Sequence, residues 1–165
     1  MLIHILRGTP VVMWPLFAGL IALGLLQART RTIGSRRATL LPGLWMLLSL
    51  AGVIGAFGPG AVALAAWTVG IVVAMATGPR LLPRIAATWH AAGDTLRVSG
   101  SWLPLSLIVG LFAVKYAASV SMAIQPRLAT DTEFVVAFSL AYGVFSGLFA
   151  MRGLQLWQIR RAARA

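Results

Sequence analysis

The feature that most constrains this chain is a series of apolar runs, each about as long as a lipid bilayer is thick. A helix crossing the hydrocarbon core needs about 20 mostly apolar residues, with roughly 17 to 25 as the working range. Five stretches meet that length: Thr9 to Leu26, Leu40 to Phe57, Ala61 to Thr77, Leu103 to Ala123 and Phe134 to Leu154. Composition agrees. Of the 165 residues, 59% are hydrophobic and only 10% are charged, and the mean hydropathy is +0.89. An ordinary soluble domain carries roughly 25% charged residues. A soluble globule of this size keeps too much surface to hide that apolar area. The expectation is an all-α membrane protein: one transmembrane domain over residues 1–165, built as a bundle of about five transmembrane helices.

The charge is distributed in a way that orients such a bundle. Thirteen Arg and one Lys face three acids, for a net charge of +11. A basic balance of this size can signal nucleic acid. Here, however, the Arg residues fall in short segments between the apolar runs, where they anchor helix ends beside anionic headgroups. The lipid bilayer is therefore the expected partner, and nucleic acid is not. Arg29, Arg31, Arg36, Arg37, Arg80, Arg84, Arg97, Arg160, Arg161 and Arg164 share one side of a five-span alternation; Arg7 and Arg127 fall on the other. The positive-inside rule then predicts a bacterial inner-membrane protein with its N-terminus outside and its C-terminus in the cytoplasm. The first run is not read as a cleaved signal peptide, because most of its flanking charge follows the apolar core instead of preceding it.

The connecting segments are short. Gly58-Pro59-Gly60 separates the second and third runs, and this chemistry breaks a helix into a tight antiparallel hairpin. The longest link, 78–102, opens with two prolines and carries turn residues at Ala92-Gly93-Asp94. Thr95, Leu96, Arg97 and Val98 alternate polar and apolar, so a short cytoplasmic β-hairpin is expected between the third and fourth helices, with an amphipathic helical turn as the alternative. Ser101 can cap the helix that follows, with Pro104 in its first turn, where a missing N–H is harmless.

Helices in a bilayer associate through close packing and polar contacts, because lipid tails are as apolar as Leu. Ser139, Gly143 and Gly147 form a small-residue stripe on the fifth run, and Ala51 with Gly55 and Gly52 with Ala56 do the same on the second. Such stripes leave open whether they meet a neighbour in the same chain, a homodimer copy or another membrane protein. Trp14, Trp45, Trp89, Trp102 and Trp157 fall near run ends or in links, where an indole N–H favours the headgroup layer.

Lys115 is the chemical anomaly. It lies about 12 residues into the fourth run, where an ionised group costs on the order of 3 kcal/mol or more. No carboxylate lies within any run; Asp131 and Glu133 stand at the outer mouth of the fifth, and Lys115 is about seven residues, roughly 10 Å at 1.5 Å per residue, from the outer end of the fourth. Tyr116, Ser119, Tyr142 and Ser146 lie at broadly similar depth and offer hydroxyl partners. Two readings stay open: a pocket for an anionic or polar ligand, with Lys115, Tyr116, Tyr142 and Glu133 as its candidate residues, and a polar clasp joining the fourth and fifth helices. Arg152 reads as a residue whose head reaches the inner headgroups. His4 and His90 fall on opposite sides and cannot share a metal. The chain has no cysteine, so disulfides, thiolate metal sites and cysteine nucleophiles are all excluded. No nucleotide loop and no hydrolase or metalloprotease motif occurs. No catalytic residue, metal or cofactor is expected. The function class is an accessory or structural membrane component, or alternatively a small dimeric permease or ligand-binding protein built around Lys115.

Gly100-Ser101-Trp102-Leu103-Pro104-Leu105, followed by Phe112-x-x-Lys115-Tyr116, resembles a pattern in a bacterial family of short hydrophobic proteins known only as a domain of unknown function. His4-Ile5-Leu6 before Thr9-Pro10, and Tyr142-Gly143-x-Phe145-Ser146-Gly147, belong to the same pattern. The resemblance implies a five-helix inner-membrane protein with no assigned activity. The layout of three spans, a short hairpin and two spans is more faintly similar to CcdC-type membrane proteins. A thiol relay cannot be this chain's own chemistry, since it has no cysteine.

Overall fold

A computed structural model describes residues 30–83, 85–90 and 95–163, together with positions 19, 21, 22, 24 and 25. The run expected over 9–26 lies mostly outside the described residues; those described between 19 and 25 are helical. Beyond it the chain is mostly helical. Four continuous helices follow among the described residues: α1 (Ser35–Phe57), α2 (Ala61–Leu81), α3 (Leu103–Ile124) and α4 (Thr132–Ala162).

Three of these contain stretches long and apolar enough to cross a membrane: Ala61–Arg80, Leu103–Ile124 and Thr132–Ala162. In α1 the described apolar stretch is Gly43–Phe57, below 18 residues. Of the five spans read from sequence, three are span candidates among the described residues, and the stretch read over 40–57 lies within the continuous 23-residue helix α1.

Local chemistry sets the ends. α1 stops where Gly58 takes φ 77°, a left-handed value open to glycine, and the Gly58 N–H closes the last turn on the Ile54 carbonyl at 2.8 Å. Ahead of α3 the Leu103 N–H donates to Ser101 Oγ at 3.3 Å, while Trp102 occupies the cap position and Pro104 lies in the first turn. Ser101 therefore serves from one residue earlier than a cap. A short 3₁₀ turn, Pro126–Ala129, leads to Asp131, whose Oδ1 accepts the Phe134 N–H at 2.9 Å and caps α4.

The fold is not wholly helical. Strands β1 (Arg31–Gly34), β2 (Ala87–His90) and β3 (Thr95–Val98) form an antiparallel sheet in the order β1-β3-β2. The expected pairing of two strands in the 78–102 link is present as β2 with β3. The correction is β1, a strand from before α1 that pairs with β3 and makes it the central strand. Ile33, Leu96 and Trp89 stand side by side across the three strands, as do Thr32, Arg97 and Thr88. Side chains alternate faces along a strand, so the first row faces inward and the second outward. Leu96 is 1% exposed, whereas Thr32, Arg97 and Thr88 are exposed. The sheet lies at the end of the bundle where α1 and α3 begin and α2 and α4 finish. There the Arg160 guanidinium rests over the Trp89 ring, 5.9 Å from its centre.

α4 is the hub. Its buried residues include Val135, Ser139, Tyr142, Gly143, Ser146 and Gly147. It packs most extensively on α2, then on α1, and only lightly on α3. Leu44, Leu47 and Leu48 of α1 and Val62, Val69, Val72 and Val73 of α2 are exposed. An apolar outer surface of this kind suits lipid as the surrounding solvent.

Candidate functional site

α1, α2 and α4 meet around a buried polar thread. The Trp67 indole N–H donates to Ser49 Oγ at 3.2 Å, and the Ser49 hydroxyl donates to the Tyr142 carbonyl at 3.3 Å. The Ser146 hydroxyl donates to the same carbonyl at 2.8 Å. One residue from each of α1 and α2 is thereby tied to the α4 backbone, in surroundings where a polar group without a partner is costly. The Tyr142 side chain, 3% exposed, is packed into the apolar cluster of Val53, Ala63 and Val135, with Phe57, Trp67, Leu111 and Val114 around it.

Beside the thread, α2 and α4 approach to backbone contact. A Cβ added at Gly143 would run into the Trp67 carbonyl and stand 3.0 Å from Gly70 Cα. A Cβ at Gly147 would stand 2.7 Å from Ala74 Cβ. A second cluster joins α3 to α4 through Leu107, Ile108 and Phe149, and Trp45 of α1 stacks on Phe149 with ring centres 5.3 Å apart. Trp45 is thus a packing residue within the bundle.

The candidate residues separate into two groups. Tyr142, Ser139, Gly143 and Gly147 lie together on the buried side of α4. Ser139 is fully buried, and its hydroxyl makes no hydrogen bond. Lys115 is exposed on α3, Glu133 is exposed in the first turn of α4, and the two form no ion pair. Tyr116 is half-buried, its ring stacked with Phe112 at 6.3 Å. Arg152 is half-buried on α4, and His90 is exposed on β2. His4 and Asp94 lie outside the described residues.

Ser49, Trp67 and Gly70 carry the helix junction, and sequence reasoning passed over all three. The available signal was Ser49 itself, a lone hydroxyl between Leu48 and Leu50. Among the described residues no group of three His, Cys, Asp or Glu side chains is placed to hold a metal. The thread consists of donors and acceptors with no acid–base pair, so its chemistry is that of holding helices in register.

No curated protein and no solved structure matches the chain. The whole of it, residues 1–165, matches one protein family, described as a family of unknown function. By that match the chain is a member of the DUF6622 family.

Proposed function

We propose that this protein is an accessory component of a bacterial inner membrane, a small helical scaffold that packs beside a larger membrane assembly. One contrast supports the reading. α1, α2 and α4 are tied together by the Trp67–Ser49–Tyr142 thread and by the glycine contacts. Among the described helices α3 packs only lightly on α4, although Gly24 of the first run lies against its Leu105, and it carries the chain's only lysine, exposed within its apolar run. A helix bearing an exposed charge within its apolar run is suited to a neighbour.

The orientation follows from the sheet end of the bundle, where Arg80, Arg97, Arg160 and Arg161 collect. The positive-inside rule assigns that end to the cytoplasm. The C-terminus then lies inside and the 3₁₀ turn outside.

Native mass spectrometry of the protein extracted from its own membrane in mild detergent tests the proposal. A stoichiometric assembly with a second membrane protein is the expected result. A homodimer retaining a small molecule would instead favour a small permease or ligand-binding protein built around Lys115. Against that reading, Tyr142 is packed in the apolar core and Glu133 lies in the first turn of α4 without an ion pair to Lys115.

A further inference from the structure

We infer that the Lys115 face of α3 docks a transmembrane helix of a partner protein that carries a carboxylate at mid-membrane depth. The inference rests on the accessory role and names the chemistry of its partner.

Lys115 stands 12 residues after Leu103 and nine before Ile124. At about 1.5 Å per residue it is roughly 18 Å from one end of α3 and roughly 14 Å from the other. A four-carbon stem shortens the shorter path without closing it. Lys115 also lies beside the core and not opposite to it. Residues three and four apart share a helix face. Ala118, three residues on, is buried, and Leu111, four residues back, packs against the apolar cluster around Tyr142. The side chain is exposed nonetheless, so the ammonium stands at an open seam along the bundle.

Ser119, one turn further along the same face, is half-buried. A serine within a membrane helix ordinarily returns its hydroxyl to the carbonyl four residues back, as Ser146 does here. Ser119 makes no such bond. An ammonium and a hydroxyl one turn apart, both with protons to give, fit the two oxygens of one carboxylate.

The chain has no such carboxylate of its own. Its three acids are Asp94, in the link between β2 and β3, and Asp131 and Glu133 at the opposite end of the bundle. A second copy brings the same three acids and therefore none at the depth of Lys115. A lipid phosphate belongs to the headgroup layer, above that depth. A partner helix can place Asp or Glu at any depth, and an intramembrane acid is itself costly unless paired.

The test uses the full-length protein in nanodiscs and synthetic transmembrane peptides of Leu and Ala, with a single central Asp or, as control, a central Leu. Association is read by energy transfer between labels. Wild type should bind the Asp peptide about tenfold more tightly than the Leu peptide. Lys115→Met should abolish the difference, Lys115→Arg should keep most of it, and Ser119→Ala should weaken it several-fold. Lys115→Asp should transfer the preference to a peptide with a central Lys. Equal binding of both peptides by wild type, or an Asp preference that survives Lys115→Met, would overturn the inference. Phosphatidylglycerol retained by wild type but lost from Lys115→Met would assign the site to an anionic lipid instead, and a homodimer lost in the same variant would assign it to a second copy. A native assembly that survives Lys115→Met would leave the accessory role standing and remove this contact. Peptide selectivity without any native assembly would do the reverse.

Discussion

Gly70 of α2 and Gly143 of α4 meet backbone to backbone. A Cβ built on Gly70 would stand 2.9 Å from Gly143 Cα, and one built on Gly143 would stand 3.0 Å from Gly70 Cα. The atoms in the way are main chain, which cannot rotate aside as a side-chain tip can. Gly143→Ala is therefore expected to lower stability by about 1 to 3 kcal/mol, the usual cost of overpacking. Gly55→Ala is the matched control, since nothing lies within 4 Å of the point its methyl group would occupy. Thermal unfolding in one detergent should show a lower midpoint for the first and no loss for the second.

The Trp67–Ser49 hydrogen bond predicts coupling between α1 and α2. Trp67→Phe and Ser49→Ala should each destabilise, and the double variant should lose less than the two losses added together. The coupling should be about 0.6 kcal/mol, the average for polar contacts between membrane helices. A double-mutant cycle from unfolding titrations measures it, and strict additivity would remove the thread as a clasp.

Ser139 leads to the opposite expectation. Its buried hydroxyl has no partner, so folding removes it from any competing donor or acceptor without compensation. Ser139→Ala should leave the unfolding midpoint unchanged or raise it. A clear loss of stability would mean that the hydroxyl is bonded in the folded protein.

Lys115 and Glu133 are both exposed and make no ion pair. Lys115→Met and Glu133→Gln should then act independently, with stability changes that add to within about 0.5 kcal/mol. A larger deviation, measured by the same unfolding titrations, would restore the clasp between α3 and α4.

Leu96 is the buried centre of the sheet, flanked by Ile33 and Trp89. Leu96→Ala should cost about 2 kcal/mol or more, the range for truncating a buried leucine. The effect should be local. Hydrogen exchange should quicken across 31–34, 87–90 and 95–98, while the α2–α4 contact around Gly143 keeps its protection.

Much of the helical layout was legible, because bilayer thickness imposes a length and Gly58-Pro59-Gly60 imposes a break. The β2–β3 pair was legible from the alternation of Thr95 to Val98. β1 was not. Arg31-Thr32-Ile33-Gly34 is four residues long and sits in an arginine-rich segment, and it becomes a strand only by pairing with β3 more than sixty positions later. Local pattern carries no trace of so distant a partner. The thread escaped for the same reason: Ser49 and Trp67 look ordinary until α4 brings the Tyr142 carbonyl beside them. The separation of Lys115 from Glu133 was equally hidden, since residue counts along two helices give depth but not which sides face each other.

The helix that holds the described bundle together is made after α1, α2 and α3. As the chain leaves the ribosome, α1 and α2 enter the bilayer with Ser49 and Trp67 able to answer only each other, and with the Gly70 surface lacking its counterpart. α3 follows, still without Phe149 to pack against its Leu107 and Ile108. Until residues 139–147 arrive, the membrane holds an unfinished intermediate with a narrow slot along α2, open to any other small-faced helix that drifts past. The timing of α4 insertion therefore sets how long this protein stays vulnerable to misassembly, and a chain that terminated before Thr132 would remain in that state.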